Sequence, residues 1–484
     1  MNTNKAIIST LSEEDCTQFI SYLKQKNRRG DTKNIQLFKQ LVKGTSEELD
    51  IKLYGKPSKN ALHALSKRLT DSLIDFTANK SFAGETSEEL EILKLLLASR
   101  IFFEHKKHKI AFKTLEKAEQ KARNLDVYSI LTEVYHTKIQ YAHLSTTLSL
   151  SEISKEATIN LQNFTKEQKL NLAYATITNE FLHTKEKSVL SIIEVAFSEY
   201  EIEINETLTY KSLFQLLKVV TKAATIKSDY YSLTPLLNEV ASILEKKKAL
   251  ANKNLYYHIQ LLNLLAYAYF RNKDFTTSKE FLSILKTQLE KGYRNQFIAK
   301  ATVLEALLEN YTGNAQQAIS VLKNRKDQSL DGLLTLTMCH FQQTEFKEAY
   351  SVLRTLQHSD AWYEKKVGLL WILKKNLIEI LLLIELDKLE LVLSRLQSFK
   401  RTYHKRLQEI EENRVLNFIT LITKYYENPK LVTHEAFINE VEASFDWKPY
   451  EEEDVFVMSF YAWLKAKMER RDMYEVTLEL VKKK

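Results

Sequence analysis

The stretch LLAYAYFRNKDFTTSKEFLSIL, residues 264–285, decides the fold. Ala266 is followed twelve positions later by Ser278, and Leu282 follows four after that. The same spacing returns downstream as Ala306, Ala318 and Leu322, and then as Thr337, Ala349 and Leu353. A looser upstream copy reads Ser99, Ala111 and Leu115. Small residues at this spacing fit two antiparallel helices whose backbones approach closely across a short turn. The Leu one turn further on shares the face of the second small residue. Aromatic residues fill the space between: Tyr269 and Phe275 in the first unit, Phe346 in the third, Phe102 upstream. Polar turns fall at Asn272-Lys273-Asp274, Thr312-Gly313-Asn314 and Gln342-Gln343-Thr344. A single pair cannot bury its apolar face, so successive pairs must stack.

Residues 264–285 resemble a tetratricopeptide repeat, with small-x2-Tyr (Ala266, Tyr269) and then Phe-x2-small-x3-Leu (Phe275, Ser278, Leu282). The later units depart from the family pattern. Glu309 stands where the family favours an aromatic residue, Ala315 stands where it favours a large one, and the units are spaced 40 and then 31 residues apart. The resemblance implies an all-α fold, a right-handed solenoid of antiparallel helix pairs. It also implies a concave groove that takes a protein or peptide segment, lined from the first helix of each pair. In the best units those residues are Asn263, Tyr267, Arg271 and Glu305.

Composition agrees with helix. The 484 residues include 8 glycines and 4 prolines, far below average usage, so few turns are expected to need a positive φ. The glycines are too far apart for a dinucleotide fingerprint or a P-loop, which excludes most nucleotide-dependent enzymes. With 70 basic and 62 acidic residues, the net charge of +8 belongs to a mixed surface; it permits polyanion attraction without requiring it. Cys16 and Cys339 have no metal-ligand spacing and read as reduced thiols. The chain's first sixteen residues lack the apolar core of a signal peptide, and the most apolar run, 377–386, carries Glu379 and Glu385. That run is far shorter than the roughly 20 residues of a membrane span, so no membrane insertion and a cytoplasmic location are expected.

Residues 1–80 read as an N-terminal helical module, a cap or a helix-turn-helix, and 85–484 as the repeat array with an atypical C-terminal cap. In the module an acidic start at Ser12 opens a first helix and a basic break spans 24–33. A short helix follows over 35–42, and another runs from Ser46-Glu47-Glu48 to a Gly55-Lys56-Pro57 turn. Ser58 then caps a longer helix buried through Leu62, Leu65, Leu69, Leu73 and Phe76. Lys59, Asn60, His63, Lys67 and Arg68 share its polar side, where a recognition helix would present them to a major groove. The module faintly resembles the winged-helix domains that precede tetratricopeptide arrays in some transcription regulators. No wing follows, however, and basic residues on a helix are commonly just solvated.

Between the module and the array the sequence predicts a linker over 77–88, and beyond it helices over 90–103, 109–125, 127–144, 153–161, 166–182, 188–200 and 207–222. Further helices are predicted over 235–248 (capped by Thr234), 362–386, 388–407, 416–426 and 455–468, with a polar loop at 145–152. All four tryptophans, Trp362, Trp371, Trp447 and Trp463, fall in the last third and read mainly as core. His105 and His108 have a metal-compatible spacing, but Lys106, Lys107 and Lys109 surround them and no third ligand follows. His136 and His143, two turns apart on one helix, read as surface or groove lining. The run Glu451-Glu452-Glu453-Asp454 suits a helix N-terminus, or a basic partner. No catalytic set, metal site or cofactor is expected. The leading expectation is a non-catalytic protein-interaction scaffold; the alternative is a DNA-binding transcription regulator with a partner-sensing array.

Overall fold

The computed structural model describes residues 2–9, 11, 13–26, 32–44, 48–83, 88–145, 149–183, 189–227, 230–324, 329–409, 413–444 and 453–482. Every regular element among them is helical, as the composition and spacing predict. The predicted start at Ser12, the centre of the basic break, Ser46-Glu47, part of the 145–152 loop, Trp447 and Glu451-Glu452 lie outside the described residues. The chain forms two compact units, Met1–Phe164 and Thr165–Lys484, and the 1–80 module falls inside the first.

The first unit begins with α1 (Asn2–Ile8), α2 (Glu13–Lys26), α3 (Thr32–Val42), α4 (Leu49–Tyr54) and α5 (Lys59–Ala83). Phe19 sits at their centre, edge-on to Phe38 at 4.7 Å and to Phe76 at 5.1 Å. Leu65, Leu69, Leu73 and Phe76 are buried and Leu62 partly so, as their spacing requires. The sequence gives α1 little apolar signal. It is held instead by Asn4, whose side-chain amide donates to the Ser66 hydroxyl at 2.9 Å and whose oxygen accepts from Thr70 at 2.6 Å. The predicted linker at 77–88 is corrected in its first half, because α5 runs on through Ala83. Next come α6 (Glu88–Glu104), α7 (His108–Asn124) and α8 (Tyr128–Tyr141). The separate helices expected over 153–161 and 166–182 are one element, α9 (Leu150–His183), which contains the division between the units.

The second unit continues with α10 (Val189–Glu199), α11 (Tyr210–Lys227), α12 (Thr234–Lys246), α13 (Leu255–Arg271), α14 (Phe275–Leu289), α15 (Arg294–Tyr311) and α16 (Ala315–Lys323). Then follow α17 (Leu330–Gln342), α18 (Phe346–Leu353), α19 (Asp360–Val367), α20 (Leu369–Glu385), α21 (Leu389–Glu409), α22 (Asn413–Glu427), α23 (Glu435–Ser444), α24 (Val455–Glu469) and α25 (Met473–Val481). Two predicted details change. Thr234 does not cap; it is the first residue of α12 and donates its hydroxyl to the Tyr231 carbonyl at 2.7 Å. The long helix expected over 362–386 is cut into α19 and α20 at Gly368. That residue has φ 92 and ψ 168, a region closed to residues with a Cβ.

The four sequence units are four packed helix pairs: α6 with α7, α13 with α14, α15 with α16 and α17 with α18. Every small residue of the pattern is fully buried, and so, or nearly so, are Leu115, Leu282, Leu322 and Leu353. The first helices of the later pairs touch in succession, α13 with α15, α15 with α17 and α17 with α20. All four pairs close through the same turn. A residue at positive φ (Lys106, Lys273, Gly313, Thr344) ends the first helix. The next residue's N–H then returns to a carbonyl five positions back, as from Asp274 to Tyr269 at 3.0 Å and from Glu345 to His340 at 2.9 Å. Asp126, Glu201, Asp387 and Arg470 repeat this closure. The expectation of few positive-φ turns is therefore overturned. The chain places ordinary L-residues in the left-handed region where glycine is usual, at about 1–2 kcal/mol each.

Candidate functional site

Asn263, Tyr267 and Arg271 are spaced four apart along α13 and so share one face of it. Arg271 is buried there, while Asn263 and Tyr267 are half-buried. The α24 helix lies against α13 and α15, with Val455 and Met458 in the same apolar cluster as Ile259, Phe270, Leu304 and Tyr311. Ten of the fifteen residues of α24 are buried, so it is apolar on nearly every side. Polar contacts fix its register. Tyr311 and Ser459 share a hydrogen bond of 2.8 Å, and Tyr474 of α25 donates to the Asn310 carbonyl at 2.6 Å. On its other flank the indole N–H of Trp463 donates to Glu385 at 2.6 Å, and Lys467 pairs with the same carboxylate at 2.7 Å.

The N-terminus of α24 carries most of the charge. Asp454 caps the helix by accepting from the Phe456 backbone N–H at 2.8 Å, and its other oxygen pairs with Arg271. Arg271 is only 9% exposed, and its guanidinium also lies over the ring of Tyr230 at 4.5 Å, of Phe456 at 5.6 Å and of Tyr267 at 6.0 Å. Burial opposes the charge on both partners, but their mutual attraction outweighs it: the Arg271 pKa is raised and the Asp454 pKa is lowered. Glu453 pairs with Arg414 at 2.6 Å, and the Lys273 ammonium donates to the Glu453 carbonyl at 2.6 Å. Lys374 stands 3.5 Å above the Phe456 ring, and its pKa is lowered to about 8 by burial, with Arg271 adding to the effect. The described end of the acidic run thus serves a helix start, as its composition suggests, and meets basic residues of its own chain. Glu305 is elsewhere. It pairs with Lys286 of α14 at 2.6 Å, between successive pairs.

A second polar region has no counterpart in the sequence reading. A cleft of about 360 Å³ opens where the end of α18 and the 354–359 connection meet α20 and α21. On its floor Lys375 bridges Asp360 at 3.2 Å and Glu379 at 2.8 Å. Arg395 donates twice to one oxygen of Glu379, at 2.9 and 2.6 Å. Asn376 donates to Asp360 at 2.9 Å. Arg354 and His358 stand exposed at the mouth, and the His358 ring stacks on Trp362 at 4.0 Å.

No family model, curated protein or solved structure gives a significant match to this chain.

Lys59, Asn60, His63, Lys67 and Arg68 are all exposed on the first three turns of α5, after the short α4 and a turn through Gly55. His105, His136 and His143 are exposed, and His108 is half-buried near Phe103. Among the described residues no group of three or more His, Cys, Asp or Glu side chains could hold a metal ion. No helix among them is long and apolar enough to cross a membrane. Cys339 is a buried thiol, and burial pushes it up to about 12, where it is inert. The cleft escaped the sequence because its charges come from four segments. The one available signal was the pair of charges Lys375 and Glu379, one turn apart within a mostly apolar run.

Proposed function

We propose that this chain is a non-catalytic protein-interaction scaffold built as a right-handed, tetratricopeptide-like array. The observation that supports it is the seat of α24. The packed helices α13 and α15 hold a helical segment of the same chain, and Arg271, one of the residues assigned to segment contact, takes an acidic group at its start. The inner face thus has the character of a segment-binding surface, and the chain supplies the occupant itself. Partners accordingly meet the exposed faces and clefts outside it. The test is cross-linking of the full chain in its native extract, identification of cross-linked proteins, and reconstitution with a separately purified candidate. A reconstituted complex with cross-links on exposed faces is the expected result; failure of every candidate to rebind removes the scaffold reading.

A second reading, a DNA-binding regulator, is favoured by one observation, the joint exposure of Lys59, Asn60, His63, Lys67 and Arg68 on α5. Phosphate contacts by such residues predict steeply salt-dependent binding, so a gel shift with random duplex at about 50 and about 200 mM salt decides it. No shift at the lower salt ends this reading.

A further inference from the structure

The cleft between α18, α20 and α21 has an unusual balance of used and unused groups. Both of its carboxylates are consumed. Asp360 accepts from Lys375, Asn376 and, at 3.5 Å, the Tyr403 hydroxyl, while Glu379 accepts from Lys375 and twice from Arg395. The cationic side is not consumed. The Arg395 guanidinium keeps one terminal nitrogen without a partner among the described residues, and the whole Arg354 guanidinium has none. Lys375, only 7% exposed in its side chain, is fixed in the floor. With Lys375, Arg354 and Arg395 against Asp360 and Glu379, the lining carries three positive and two negative charges, a net of +1. What remains free to meet a visitor is donors: guanidinium N–H groups, the Gln357 amide and the Tyr350 hydroxyl. Beyond the rim Lys347 and Lys388 add positive charge, the latter 4.3 Å above the Tyr350 ring. Trp362, 41% exposed and stacked under His358, supplies a flat apolar shelf beside the mouth. Arg, Tyr and Trp around a polar recess are the residue types that anchor protein interfaces.

We propose that this cleft docks an acidic peptide segment of a protein partner, with a carboxylate held by Arg354 and the free side of Arg395. The proposal rests on the scaffold reading and names the chemistry of its partner. Planar guanidinium forks match carboxylates bidentately, and the fixed charge network beneath keeps Arg395 oriented before the ligand arrives.

The test is fluorescence anisotropy of labelled hexaglutamate titrated with the full chain, with hexaglutamine as the neutral control. Hexaglutamate binds and hexaglutamine does not. Arg354→Glu, at an exposed position that leaves the fold intact, weakens hexaglutamate binding about ten-fold or more. Lys222→Glu, an exposed reversal of equal charge on α11, which packs in a different core cluster of the same unit, leaves it within about two-fold, because long-range attraction alone is screened. Absence of hexaglutamate binding, equal losses in the two variants, or displacement by inorganic phosphate as readily as by free hexaglutamate each overturn the proposal. If a reconstituted partner binds Arg354→Glu undiminished, the cleft assignment falls and the scaffold reading stands. If no partner can be reconstituted, the scaffold reading falls whatever the peptides do.

Discussion

Ser278 donates its hydroxyl to the backbone carbonyl of Ala266 at 2.6 Å, across the crossing of α13 and α14. The pair α6–α7 has the same joint with the direction reversed, Ser99 on the first helix donating to the Ala111 carbonyl on the second at 2.9 Å. Backbones this close leave no room for a larger side chain. Ala266→Leu is expected to lower stability by about 1–3 kcal/mol through overpacking. Ser278→Ala is expected to lower it by about 1 kcal/mol through the lost hydrogen bond. Urea unfolding of each variant measures both, and an unchanged midpoint for Ala266→Leu would show that the helices do not cross closely at Ala266.

Thr344 occupies the left-handed position of the α17–α18 turn, with φ 59 on a β-branched residue. Its exposed side chain bonds only to the neighbouring Gln343 carbonyl, at 2.7 Å. Thr344→Gly removes strain of about 1–2 kcal/mol at the cost of some unfolded-state entropy, for a net gain of about 0.5–1 kcal/mol. A raised melting temperature is the expected readout; a lowered one contradicts the turn geometry.

His258 sits on α13 at 6% exposure, its ring edge-on to Tyr210 at 5.6 Å and its Nδ1 without a partner. Burial, then the charge of Lys291, pushes its pKa down from 6.5 to about 4. The folded pKa is lower than the unfolded one, so the unfolded chain binds this proton first. Stability is complete above about pH 6.5 and falls by up to ~3 kcal/mol as pH drops to about 4. His258→Phe keeps the ring and removes the proton. Urea midpoints measured across that window should fall less steeply in the variant, and parallel slopes would refute the assignment.

Arg271 and Asp454 are 183 residues apart and bury their charges against each other. Arg271→Met removes the direct partner of Asp454, leaving only the weaker attraction of Lys374, and is expected to cost about 3–5 kcal/mol. Adding Asp454→Asn, which keeps a capping oxygen, should recover a large part of that loss. A double-mutant cycle by chemical denaturation reads the coupling, and additive losses would mean that the pair is not formed.

The helix pairs were legible because their determinants are local. Ser99, Ala111, Ala266, Ser278, Ala306, Ala318, Thr337 and Ala349 recur at one spacing, and all are fully buried. The turns were legible in place but not in conformation, since nothing in Lys273 or Thr344 announces a left-handed backbone. The return of α24 onto α13 and α15 was not legible at all. Its apolar residues say that it is buried but not against what, and Asp454 looks the same whether it caps a helix or also meets Arg271. Of the residues read as a groove on α13, Arg271 is taken up by Asp454, a contact 183 residues away in the chain that no local pattern could announce.

The seat of α24 also bears on biosynthesis. Val455 leaves the ribosome 200 residues after Leu255, which at ordinary elongation rates is a delay on the order of 10–40 s. During that time Ile259, Phe270 and Leu304 lack the part of their cover that Val455, Phe456 and Met458 supply. The growing chain therefore passes through a sticky interval that ends only when its own late helix arrives, and an added peptide copying residues 455–469 would be expected to shorten it.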